Sequence, residues 1–168
     1  MRHLFTLDLK DYDPNGTRTF RPSVRGIVIR DGKVLMIHSR KYDYYKFPGG
    51  GIEPGEEMIA ALCREVAEES GFCVIPGSIR EYGLVRKISR SGETDIFDQE
   101  NFYYLCDVSD AVGQTLDDYE ADEGFTPAFI TPQWAIEVNR FHDHLGKWGL
   151  VQERECLVLE RLMEEGHF

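Results

Sequence analysis

The segment Phe47–Phe72, FPGGGIEPGEEMIAALCREVAEESGF, joins three consecutive glycines, Gly49, Gly50 and Gly51, to a run that is both acidic and amphipathic. Within it Ile59, Leu62, Cys63 and Val66 recur at i, i+3, i+4 and i+7, which predicts an α-helix with one apolar stripe. Gly71 closes the run and suits the left-handed residue that stops a helix. At about 100° per residue, Glu65, Glu68 and Glu69 share a second face, distinct from the stripe. Three neighbouring carboxylates repel one another and raise one another's pKa unless a cation lies between them. Hard oxygen donors so arranged suit Mg²⁺ or Mn²⁺, and Mg²⁺ commonly bridges carboxylates to substrate phosphates. Alone, such a charge run reads as a solvated helix face with Arg64 as a partner. The glycines ahead of it shift the balance, because a chain without Cβ atoms turns sharply and brings its backbone close to a ligand.

Upstream, VRGIVIRDGKVLMIHSR contains two β-branched and apolar runs joined by Asp31-Gly32, the dipeptide that a two-residue type I′ hairpin prefers. The opening LFTLDLKDYD predicts a strand, and PNGTRT a turn-rich connection. Downstream, IREYGLVRKIS and NFYYLCDVS predict strands separated by the polar loop RSGETDIFDQE. FTPAFITPQWAI predicts a further strand, interrupted by Pro127 and Pro132. The stretch VQERECLVLERLMEEG has helical character, with Val151, Leu157 or Val158, Leu159 and Leu162 as packing positions. Strands, helix, strands and helices in that order predict an α/β fold in which helices cover a mixed sheet.

The chain of 168 residues, 42% hydrophobic and 29% charged, fits one domain with a real core, residues 1–168. Its formal charge of −11 argues against a broad nucleic-acid or anionic-membrane surface, so a polyanionic ligand would need metal help. Cys63, Cys73, Cys106 and Cys156 form no CxxC pair and read as reduced, buried thiols. No window has the length and apolarity of a membrane span, and cytoplasmic residence is the expectation. His38, His142 and His144 show no third ligand at a metal-site spacing, and a GxxxxGK[ST] phosphate loop is absent.

Taken together, the residues form a longer pattern. Gly50 is followed by five residues and Glu56, then seven residues and Arg64-Glu65-Val66, one residue and Glu68-Glu69, one residue and Gly71-Phe72. This resembles the signature of the Nudix hydrolase family, of the MutT type, at every defining position over residues 50–72. The resemblance implies a Nudix-type α/β/α sandwich with a mixed β-sheet and a loop-helix-loop catalytic motif. It also implies that Glu65, Glu68 and Glu69, with the Gly50 carbonyl, hold Mg²⁺ or Mn²⁺. Arg64 would orient the carboxylates and Glu56 would fix the loop through Arg64. The implied reaction is hydrolysis of the diphosphate bond of a nucleoside diphosphate linked to another group, a small-molecule substrate. Catalysis would rest on Glu65, Glu68 and Arg64, the proton acceptor being Glu65 or Glu68, with Glu120 and Glu123 of LDDYEADEGF as candidates for an extra base or ligand. Homodimers are common in the family, though the sequence carries no dimer signature. The motif's polar face also predicts that replacing Glu68 or Glu69 leaves the fold intact.

Substrate selection falls outside the motif. Lys46 and Arg86 are the candidates to meet phosphates, ahead of Arg40, Lys41, Lys87 and Arg90. Tyr44, beside Tyr42 and Tyr45, is a candidate to stack on a base. Trp134 and Phe102 read as core. The extended array of NADH-cleaving members, a zinc ribbon, and the proline that flags many ADP-ribose hydrolases are all missing. A nucleotide-sensing module without turnover is disfavoured by the intact glutamates. An isoprenoid-diphosphate isomerase would need acid and base groups that the spacing does not supply.

Overall fold

The computed structural model describes residues 1–90, 95–111, 113–141 and 149–168. The order of elements is β1 (His3–Asp8), β2 (Arg18–Ile27), β3 (Ile29–Arg30), β4 (Lys33–Ser39), β5 (Tyr44–Lys46), α1 (Met58–Ser70), β6 (Phe72–Val74), β7 (Arg80–Ser89), β8 (Ile96–Leu105), β9 (Val108–Ala111), α2 (Asp118–Glu123), β10 (Phe125–Ile130), α3 (Pro132–Phe141) and α4 (Gly149–Glu164). One sheet runs β1-β7-β8-β2, with parallel outer pairs and an antiparallel β7–β8 centre. A second runs β10-β4-β3, with β5 added to β4, and β6 pairs with β9.

The period-two alternation of strand side chains separates two buried clusters. Ile27, Val34, Met36, Val85 and Tyr103 face Ala135 of α3 and Val158, Leu159 and Leu162 of α4. Val24, Val28, Leu35 and Tyr104 face Ala61, Leu62 and Val66 of α1. The sheets therefore lie between α1 on one side and the α3–α4 pair on the other, the expected α/β/α sandwich with a mixed sheet.

The Asp31-Gly32 turn forms with both residues at positive φ, 53° and 70°, as the hairpin requires. The hairpin itself is shorter than the two apolar runs. Only Ile29 and Arg30 pair across it, while Arg18–Ile27 pairs over its whole length with β8 in the other sheet. β8 also begins inside the stretch expected to be a loop, with Ile96, Asp98 and Gln99 buried. The remainder of that loop, 91–94, lies outside the described residues.

Pro127 does not interrupt β10, which lies at the edge of its sheet where a missing N–H is tolerated. Pro132 opens α3, whose buried residues are Pro132, Ala135 and Asn139. That face turns Trp134 outward, half exposed, so it is not the core residue expected; Phe102 does pack against the α1-side cluster. In α1, Ile59 is exposed, and the buried face contains Leu62, Val66 and Glu69 at i, i+4 and i+7.

Candidate functional site around the glycine loop and helix α1

Strand β2 holds the glycine loop by successive carbonyls. Gly26 N donates to Pro48 O, the Arg25 guanidinium to Gly49 O, and Val24 N to Gly50 O. Only glycine allows this approach at position 49: its φ is +140°, and a Cβ there would lie 2.1 Å from Val24 O. At Gly50 a Cβ would lie 2.3 Å from a Glu65 carboxylate oxygen, so the loop backbone and the helix carboxylate are in direct apposition.

Arg64 organises the first part of the acidic face. It grips Glu56 with two parallel bonds, Nε to Oε1 and Nη2 to Oε2, both 2.8 Å. Its Nη1 reaches Glu65 at 2.9 Å and Glu68 at 3.1 Å, and Nη2 also donates to Gly51 O. The planar fork of a guanidinium serves several acceptors at once, which a lysine could not reproduce. Arg64 and the Glu53 N–H hold Glu56 down at about 2. Burial pushes Glu65 up, opposed by Arg64, Arg25 and Lys46.

Glu69 departs from the expectation of an outward face. It is 1% exposed, with one oxygen 2.5 Å from Lys46 Nζ and the other accepting from Gly49 N at 2.9 Å. Its place at i+7 from Leu62 carries it inward with the apolar stripe. Burial pushes its pKa up to about 7, against the pull of Lys46 and Arg25. Lys46 is correspondingly buried, its ammonium 4.6 Å from the Phe125 ring centre, so its charge is spent on Glu69 and not turned to solvent.

The acidic α2 returns to the same region. Glu120 forms a capping box with Asp117 and accepts a 2.9 Å bond from Tyr119 OH; burial and Glu120 raise the Tyr119 pKa, with smaller contributions from Glu69 and Glu65. Glu123 is buried and accepts from Ser39 Oγ and Tyr44 OH at 3.0 and 3.2 Å. The Tyr44 ring is 2% exposed, which leaves no open face for stacking on a base.

The remaining candidates are elsewhere. Arg86 and Arg18 clasp the buried Asp98 carboxylate between β7, β8 and β2, away from the glycine loop's own hydrogen bonds. Lys41 pairs with Asp122, and His38 with Asp43 while stacking on Tyr45. His142 and His144 lie outside the described residues. Sequence reasoning missed Arg25, the arginine in the buried half of β2, and Arg21, whose guanidinium lies across Gly51 so that a Cβ there would approach Nη2 to 2.7 Å.

Among the described residues no three His, Cys, Asp or Glu side chains converge as a ready-made metal cage. The donor set nonetheless fits Mg²⁺, which is usually held by one or two carboxylates together with substrate phosphates. Glu65 and Glu68 are neighbours through Arg64 Nη1, and Glu65 lies against Gly50, whose carbonyl keeps a second lone pair beyond its bond from Val24 N.

The NUDIX domain family model matches residues 19–151. The chain belongs to the Nudix hydrolase family. An RNA pyrophosphohydrolase of Saccharophagus degradans is 35% identical over 97 residues, covering 51% of this chain and 56% of that protein. A putative ADP-ribose pyrophosphatase of Bacillus subtilis is 25% identical over 100 residues, covering 60% and 47%. The mouse diphosphoinositol polyphosphate phosphohydrolase 3-alpha is 42% identical over 67 residues, covering 34% and 41%. The chain thus spans about half the length of the relatives it matches. A Nudix hydrolase structure from Nitrosomonas europaea superposes with a TM-score of 0.63 at 21% identity, covering 86% of this chain and 90% of that one. The Nudix fold is therefore shared well beyond the motif, and the motif's Gly50, Glu56, Arg64, Glu65, Glu68 and Glu69 are the residues assembled here at the loop–helix junction.

Proposed function

We propose that this Nudix protein hydrolyses the diphosphate bond of a small nucleoside diphosphate derivative, with Mg²⁺ or Mn²⁺ as cofactor. The observation that carries the reading is the Arg64 guanidinium, which gathers Glu56, Glu65 and Glu68 around the Gly50–Gly51 backbone. Glu65, Glu68 and the Gly50 carbonyl would hold the metal, with Glu69 contributing a lone pair left over by Lys46 and Gly49 N. When bound, the metal neutralises phosphate oxygens and lowers the pKa of a water. Glu65 or Glu68 accepts the water's proton, with Arg64 fixing the geometry of both carboxylates. Arg21, exposed at the same loop, is the side chain proposed to meet the substrate's anionic end.

Lys46 and Tyr44 support the site from within, Lys46 through Glu69 and Tyr44 through Glu123. Arg86 is assigned no substrate contact, and Glu120 and Glu123 remain the candidates for a further base or ligand from α2. The relatives named for RNA, ADP-ribose and diphosphoinositol polyphosphate define the substrate panel. Incubation of the protein with that panel and nucleoside triphosphates, with Mg²⁺, should yield two phosphate-bearing fragments, or a fragment and phosphate, by mass spectrometry. An intact panel, with Mg²⁺ and with Mn²⁺, would count against the reading.

A further inference from the structure

Three successive carbonyls of the Pro48–Gly50 loop are held by β2, but not in the same way. The first and third accept backbone N–H groups, from Gly26 and Val24, while the middle one, Gly49 O, accepts from the Arg25 side chain. The peptide unit joining Gly49 to Gly50 has a glycine on each side, so little steric resistance opposes its rotation. Arg25 is 7% exposed, and its Nε is buried with no acceptor among the described residues. Burying a guanidinium in this state removes its water without full replacement, a cost that packing alone does not explain. Arg25 also adds to the positive field at Glu65 and Glu69.

We propose that Arg25 is a positioning residue that latches the Gly49–Gly50 peptide, and so fixes the loop backbone against Glu65 and Glu69. In a trans peptide the Gly50 N–H points away from the carbonyl that Arg25 holds, so the latch orients both ends of the unit. The role rests on the catalytic reading of the site for its effect on turnover, but not for its effect on the loop.

The test compares Arg25→Met, which removes donor and charge, with Arg25→Gln, which keeps a donor. Amide resonances of Gly49, Gly50 and Gly51 should broaden or split in Arg25→Met, while those of β8 keep their positions. In the same protein kcat should fall about tenfold or more with KM within about threefold, and Arg25→Gln should recover part of the loss. If Arg25→Met does not fold, Arg25→Gln against wild type carries the comparison, with a smaller perturbation of the same three resonances expected. Unchanged glycine resonances in a folded variant would overturn the latch, as would a loss confined to KM, which would make Arg25 a substrate contact. If no substrate is turned over by the wild-type protein, the proposed function fails and the resonances alone decide this inference.

Discussion

The Lys46 ammonium lies 2.5 Å from the Glu69 carboxylate, and the two side chains are 10% and 1% exposed. This buried pair joins β5 to the end of α1 directly beneath the glycine loop, where Glu69 also accepts from Gly49 N. Removing one partner leaves the other charge buried and uncompensated. Lys46→Met should destabilise the protein by about 3 kcal/mol in urea unfolding at neutral pH. Glu69→Gln should also cost stability, contrary to the expectation from a polar helix face. The double variant should lose less than the sum of the single losses; strict additivity would mean that the pair carries no coupling.

The Glu56–Arg64 clamp sets an acid limit. Glu56 is held at about 2, below its ordinary 4.5, chiefly by Arg64. A depressed carboxylate pKa contributes stability that is present above 4.5 and is lost as pH falls toward 2. Glu56→Gln should flatten that part of the stability-versus-pH curve. An unchanged slope between pH 4.5 and 2 would show that other carboxylates set it.

Tyr44 separates a supporting role from a stacking one. Tyr44→Phe removes a hydroxyl donor to buried Glu123, so unfolding free energy should fall by about 1–2 kcal/mol. Because the ring is already buried among its neighbours, KM should stay within about twofold of wild type. A rise in KM without loss of stability would restore Tyr44 as a substrate contact.

Glu65 offers a second handle on the chemistry. Glu65→Gln preserves the shape beside Gly50 while removing a metal donor and a proton acceptor. Turnover should fall about a hundredfold or more, with the weakened metal affinity visible in a Mn²⁺ titration of the substrate-free protein. Unaltered Mn²⁺ affinity would remove Glu65 from the proposed ligand set.

Local rules made α1 and the Asp31-Gly32 turn legible, since helical spacing and turn chemistry need only neighbouring residues. The pairing of β2 with β8 was not, because a parallel partner far along the chain leaves no local mark, and Ile96–Glu100 looked like part of a polar loop. Within α1, the apolar pattern alone put Ile59 inside and Glu69 outside. The structure reverses both, because Lys46 and Gly49 N supply the partners that let a carboxylate occupy the inward position. Lys46 followed the same logic in reverse: read by itself it was a cation awaiting phosphate. Arg25 had no readable signal, since an arginine in a strand ordinarily points to water and only the folded loop provides its acceptor.

Turnover by Glu68→Gln tests the catalytic role of the carboxylate cluster with the least disturbance to the fold. The Glu68 side chain is 39% exposed and, among the described residues, its carboxylate bonds only to Arg64, so the variant should fold with near wild-type thermal stability. On whichever panel substrate the wild-type protein cleaves with Mg²⁺, Glu68→Gln should lose about a hundredfold or more in kcat. Near-normal turnover by the folded, metal-supplied variant would contradict the assignment of this carboxylate cluster as the catalytic site.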